Sequence, residues 1–174
     1  MRTRALATSV ALVLAAGLAA CGSSKSPGVT LAPSGGATQA SVPTTPTPPP
    51  QLQAKPTVTV PKSCSNKQLI TKDIIPGTGQ TVQAGQTVTV NYVGVLCKTG
   101  KEFDSSWKRN QPFSTALSNG SVIPGWVQGI PGMKVGGRRE LIIPASLAYG
   151  TKGSPPTIPP NSPLVFVVDL LSVA

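Results

Sequence analysis

The folding of this chain is limited first by a stretch that cannot fold alone. Residues 22–63 include segments such as Pro43-Thr44-Thr45-Pro46-Thr47-Pro48-Pro49-Pro50, which hold almost no large apolar groups. Such sequence buries too little surface to offset chain entropy. Consecutive prolines favour extended polyproline II, so residues 22–63 are expected to form a disordered, semi-stiff tether. The alternative for a stretch of this composition is a ligand for an aromatic groove. The folded part is then confined to residues 64–174, roughly 110 residues and the size of one ordinary domain.

Residues 1–21 have the organisation of an export signal. Met1-Arg2-Thr3-Arg4 is a short cationic region, and Ala5 to Ala20 is an apolar run too short for a stable membrane span. The run closes on Leu18-Ala19-Ala20-Cys21, which resembles the bacterial lipobox. That resemblance implies diacylation of the Cys21 thiol and cleavage just before it, and two acyl chains suffice for stable attachment. An ordinary secretory peptide with an incidental Cys is the other reading. The expected location is the cell envelope, at the outer face of the cytoplasmic membrane or the periplasmic side of an envelope membrane.

Lys and Arg outnumber Asp and Glu 15 to 5, for a formal net charge of +10. The bases are scattered, with no dense stripe and no alternation of basic and aromatic residues, which argues against nucleic acid as a partner. Attraction to anionic lipid or wall polymer fits such a distribution better. His is absent, which removes Ser-His-Asp and Cys-His catalysis, His-ligated zinc and imidazole pH switching. Three Cys without His are too few for a closed zinc site. No metal and no cofactor are expected, and carboxylate, hydroxyl, backbone or non-covalent chemistry remains.

Within residues 64–174 the apolar pattern mostly has period two. Val88, Val90 and Tyr92 share one face of a half-buried strand while Thr89 and Asn91 take the other. Residues 139–143 and 164–171 also read as strands, the second apolar almost throughout and therefore central. Gly100, Gly136-Gly137 and the stretch from Pro155 to Pro163 mark turns. Ile123, Trp126, Val127 and Ile130 stand at i, i+3, i+4 and i+7, the stripe of a short helix that Pro124 would open and Pro131 would stop. Several strands and one helix without a βαβ rhythm make an α+β domain, an antiparallel sheet covered by that helix. Cys64 and Cys97 would face an oxidising compartment after export, so they are either bridged or two buried thiols.

All seven aromatics lie in the domain, and all but Phe113 fall within or beside Val90-Asn91-Tyr92, Phe103-Asp104-Ser105-Ser106, Val122-Ile123-Pro124-Gly125-Trp126, Leu147-Ala148-Tyr149-Gly150 and Leu164-Val165-Phe166. With Pro112-Phe113, Gly132-Met133-Lys134-Val135-Gly136-Gly137 and Ile158-Pro159-Pro160, this ordered set resembles the FKBP-type peptidyl-prolyl cis-trans isomerases. The resemblance runs from about Gln68 to the C-terminus. It implies a half-barrel antiparallel sheet wrapped on one short helix. It further implies a proline pocket with Trp126 as floor and Tyr92, Phe103, Phe113, Val122, Ile123, Tyr149, Ile158 and Phe166 as walls. Asp104 would be its one acid, with Arg109 beside it. The Ile123 N–H and the Tyr149 hydroxyl would bind ligand carbonyls, and Asp104, Ile123, Trp126 and Tyr149 would carry catalysis. Asp104 either holds the pocket in shape through partners or acts on the twisting amide. Ser121, Thr157 and Ser154 depart from common family residues at the rim, where substrate preference and macrolide contact are set.

The function implied is an envelope-anchored peptidyl-prolyl isomerase acting on X-Pro bonds of exported proteins. The alternative is a non-catalytic proline-peptide binding module or chaperone using the same pocket. Expected partners are proline-containing exported polypeptides, macrolide inhibitors and a membrane reached through the lipid anchor. The long tether suits a monomer.

Overall fold

A computed structural model describes residues 48–64 and 67–174. The leader, Cys21 and the tether as far as residue 47 lie outside the described residues.

Six strands form one open antiparallel sheet: β1 (Ile70–Ile75), β2 (Thr87–Leu96), β3 (Glu102–Ser105), β4 (Phe113–Ala116), β5 (Arg138–Ile143) and β6 (Leu164–Val173). The order is β1-β5-β6-β2-β3, and β4 pairs with the first half of β2 while β3 pairs with its second half. The three sequence-expected strands are β2, β5 and β6, and they occupy the centre. Their alternation sorts side chains between two faces. Val88, Val90 and Tyr92 of β2 join Leu164, Phe166, Val168 and Leu170 of β6 in the main core, all 8% exposed or less.

The helix α1 (Pro124–Gly129) crosses this concave face. Pro124 stands at its first position, where a missing N–H is harmless, and Pro131 follows shortly after its end. Of the expected stripe, Trp126 and Ile130 are buried while Ile123 and Val127 are half-buried. Gly125 and Gly129 are buried as well, and periodicity could not show why. A Cβ at Gly125 would stand 2.4 Å from Ile143 Cγ2, and one at Gly129 would stand 2.8 Å from Leu141 Cδ2. The two glycines let the helix backbone settle directly on β5.

The convex face corrects the expected limit of the tether. From Pro49 onward the chain is folded against the domain as a strap, rather than running free to residue 63. Pro50–Leu52 form a 3₁₀ turn, and Leu52 is 1% exposed. Arg138 Nη2 donates to the Ala54 carbonyl at 3.0 Å. Val58 and Val60 pack on a second apolar cluster made by Val93, Val95, Cys97 and Val165, joined there by Trp107. The strap ends in a disulfide between Cys64 and Cys97, with Cα atoms 5.8 Å apart, so the choice left open by the sequence falls to the bridged pair. The strap folds because it meets an apolar surface already made by the outward residues of β2 and β6.

Beneath the strap, Arg138 and Asp169 face each other across β5 and β6 and form a bidentate ion pair. Asp169 is fully buried, and burial pushes its carboxyl pKa up against the pull of Arg138.

Candidate active site

The concave side holds a pocket of about 430 Å³. Tyr92 reaches it from β2, Phe103 and Asp104 from β3, Phe113 from β4, and Phe166 from β6. Arg109 ends the 3₁₀ turn Trp107–Arg109 that follows β3. Ser121, Val122 and Ile123 come from the loop before α1, Trp126 from α1 itself, and Tyr149 from the loop after the turn Ala145–Leu147.

The rings form a cage around the indole. Trp126 has Tyr92, Phe166 and Phe113 edge-on at centroid distances of 5.2, 5.4 and 6.3 Å. Phe103 stands edge-on to Phe166 at 5.5 Å. Edge-to-face contact is the arrangement that aromatic quadrupoles favour, and it holds a flat wall without filling the space in front of it. Trp126 is 4% exposed, whereas Phe113 and Tyr149 are 36% and 40% exposed. The floor is therefore dry and the mouth is lined by rings open to solvent.

One carboxylate lies among these rings. Asp104 accepts hydrogen bonds from the Tyr92 hydroxyl and from Arg109 Nη1, and from the Ser105 amide at 2.8 Å. Arg109 Nη2 also donates to the Tyr92 oxygen at 2.8 Å, closing a triangle. Burial pushes the Asp104 carboxyl up, but the hydrogen bonds from Tyr92 and Arg109, the guanidinium charge and the Ser105 amide outweigh it. The net result lies below the ordinary carboxylate range. The Tyr92 hydroxyl moves the other way, to about 12, through burial and then through its bond to the anion. The Tyr149 hydroxyl has no hydrogen-bond partner among the described residues; burial and the Asp104 charge raise its pKa. At neutral pH the pocket thus holds a tied carboxylate, a neutral phenol spent on it, and a second phenol available to a ligand.

Ile123 caps α1 with extended backbone and turns its carbonyl to the Trp126 and Val127 amides. Among the described residues, no group of three or more His, Cys, Asp or Glu is placed to hold a metal.

The structure brings together all but one of the pocket residues expected from sequence. Ile158 is the correction. It does not line the pocket; the Ser154–Ile158 turn, closed by bonds of 2.8 and 2.9 Å between the two residues, leaves its side chain 4% exposed in the core. Ser121 lines the pocket although sequence placed it only at the rim, and its hydroxyl lies 3.0 Å from that of Ser118. The likeness to the family marked its neighbourhood, whereas a small polar residue beside an apolar run carries no signal of its own. Trp107, the aromatic left outside the expected pocket, belongs to the convex cluster.

A sheet wrapped on a short helix with a hollow, aromatic pocket whose one carboxylate is paired is a frame for gripping an apolar ring and its flanking amides. Comparison with known proteins gives it a family. Residues 78–171 match the sequence profile of the FKBP-type peptidyl-prolyl cis-trans isomerases. The chain is 54% identical over 120 residues to an FK506-binding protein of Streptomyces anulatus, covering 68% of this chain and 97% of that protein. It is 48% identical over 118 residues to a probable FK506-binding protein of Corynebacterium glutamicum, over 68% of this chain and 98% of the other. Among solved structures, FkpA from Escherichia coli aligns with a TM-score of 0.56 at 48% identity, covering 60% of this chain and 47% of that one. AtFKBP13 aligns with a TM-score of 0.57 at 39% identity, covering 61% of this chain and 93% of that one. The chain belongs to the FKBP-type peptidyl-prolyl cis-trans isomerase family. It is an enzyme that rotates the amide bond preceding proline.

Proposed function

We propose that this isomerase works at the cell envelope, held by a lipid on Cys21, and that its substrates are exported polypeptides with slow X-Pro bonds. The leader with its Leu18-Ala19-Ala20-Cys21 ending supports the anchor. Uncatalysed X-Pro isomerisation takes tens to hundreds of seconds, slow enough to limit folding after export.

The observation that carries the assignment of the site is the tied Asp104 inside an aromatic cage. A prolyl amide resists rotation by roughly 18–20 kcal/mol because of C–N resonance. The planar amide is more polar than the twisted one, so an apolar pocket disfavours the ground state relative to the transition state. Trp126, Tyr92, Phe113 and Phe166 grip the pyrrolidine ring, with Phe103 and Val122 completing the wall. The Ile123 N–H and Tyr149 hydroxyl hold the flanking carbonyls. Asp104 acts chiefly by fixing Tyr92 and Arg109, which keeps its own charge from hydrating the pocket. No bond to carbon is made or broken, so no nucleophile is required.

The same pocket would accept FK506-type macrolides. A protease-free isomerisation assay on the full chain, with and without such a macrolide, tests this reading. Macrolide-sensitive acceleration of an apolar-Pro peptide is expected, and a folded chain that does neither would refute the site. Mass spectrometry of the membrane fraction tests the anchor, with diacylglycerol expected on Cys21 and absent from Cys21→Ser. An unmodified, freely soluble parent chain would refute it.

A further inference from the structure

The strap reaches the wall of the pocket from behind. That wall is carried by a short edge strand. β3 has four residues, pairs only with β2, and its register slips between Gly94 and Val95. A short edge strand with an interrupted ladder has little backbone support of its own. Yet β3 and the turn after it carry Phe103, Asp104 and Arg109.

Two ion pairs stitch this segment together. On the pocket side Asp104 of β3 pairs with Arg109 of the turn. Elsewhere on the same two elements Glu102 pairs with Lys108, Nζ to Oε1 at 3.0 Å. The second stitch does not stand alone. Lys55 of the strap places its Nζ 2.8 Å from the other Glu102 oxygen, across 47 residues of sequence. Burial raises the Glu102 carboxyl, and the two lysines more than offset it, so it stays ionised below its ordinary range. Lys55 itself is fixed at both sides along the strap. Arg138 holds the carbonyl of Ala54 just before it, while Val58, Val60 and the Cys64–Cys97 bridge hold the chain after it. Trp107, first residue of the turn, sits in the same apolar cluster as Val58 and Val60.

We propose that Lys55 is a positioning residue for the proline pocket: through Glu102 and Lys108 it holds β3 and the following turn where Phe103, Asp104 and Arg109 meet the substrate. The strap is thereby part of the enzyme, although it lies upstream of residues 78–171, which match the family profile. The proposal rests on the reading of the concave pocket as the isomerase site. Lys55 touches no substrate, so its effect is on binding geometry rather than on the rotation itself.

The test is steady-state isomerisation of an X-Pro peptide by the full chain and its Lys55→Ala, Lys55→Arg and Lys55→Glu variants, with melting temperatures measured alongside. An exposed ion pair of this kind sets the expected rise in KM for Lys55→Ala at about two- to fivefold. kcat and melting temperature should change little. Lys55→Arg should restore the parental KM, and Lys55→Glu should raise it further. Parental kinetics in Lys55→Ala would overturn the proposal. So would a loss of kcat at constant KM, or a Lys55→Arg variant no better than Lys55→Ala. An inactive parent chain would instead remove the site reading on which the proposal stands.

Discussion

The two faces of the sheet use the same strands for opposite ends. On the concave face β2 and β6 contribute Tyr92 and Phe166 to a cage that stays hollow at about 430 Å³. On the convex face, Val93, Val95 and Val165 of the same strands are covered by Val58, Val60 and a disulfide. Large rings touching edge-on leave room in front of them, while small branched side chains close together until no room is left. Charge follows the same division. Asp104 in the pocket is open to solvent on one side, whereas Asp169 behind it is fully buried and, among the described residues, is paired with Arg138. The pocket is thus the tunable face and the strap side the stabilising one.

That division can be broken from the convex side first. Asp169→Ala leaves the Arg138 guanidinium buried without its carboxylate, and a loss of about 3–5 kcal/mol is expected in urea unfolding. A loss under 1 kcal/mol would mean that water reaches the pair. Reducing Cys64–Cys97 should lower stability by about 3–4 kcal/mol in the chain-entropy account. Below its melting temperature the reduced enzyme should bind peptide with a KM no higher than that of Lys55→Ala. A reduced protein that is folded yet empty-handed would show the faces to be one cooperative unit.

From the concave side the effects should fall on activity. Asp104→Leu deprives Arg109 and Tyr92 of their acceptor, and a drop of about tenfold in kcat/KM is expected with the fold retained. Tyr149→Phe removes one neutral hydrogen bond, so about a two- to fivefold drop should appear in the same assay. The smallest effect is that of pH. Because the folded pKa of Asp104 lies below its unfolded value, the contribution of the carboxylate is complete above the ordinary carboxylate range and is lost as pH falls through the depressed value. With no His in the chain, peptide affinity should be flat from about pH 5 to pH 8 and decline only in stronger acid. A decline that begins above this limit would show the carboxylate to be poorly held.

The concave face was legible in the sequence because both of its signals are local. Period two in Val88, Val90 and Tyr92 gave the strand and its direction. The aromatic motifs, through their likeness to a known family, marked every ring of the cage. Ile158 was misplaced because likeness transfers a position and not its burial, and here the side chain is packed into the core behind the pocket lining. The convex face was harder to see. Leu52, Val58 and Val60 are thinly spread among Pro, Thr and Gln, and composition weighs a segment as though it must fold alone. Yet the need for a cover was written in the strands. From Tyr92 to Cys97 the alternation fails and both faces are apolar, and in β6 it fails over residues 164–168. A sheet apolar on both sides needs a layer on each, and the described residues beyond 64 hold one α-helix.

The strap also sets an order of events during synthesis. It is made well before the sheet it lies on, and its seat includes Val165 and the Asp169 that fixes Arg138, both in the last strand of the chain. Until that strand is made, therefore, the surface that Val58 and Val60 cover is incomplete. A segment rich in proline and threonine suits that interval, since it neither extends a strand ladder nor attracts a second chain by its edge. The sparse composition that hides the strap from a reader of the sequence also keeps it harmless until the rest of the protein exists.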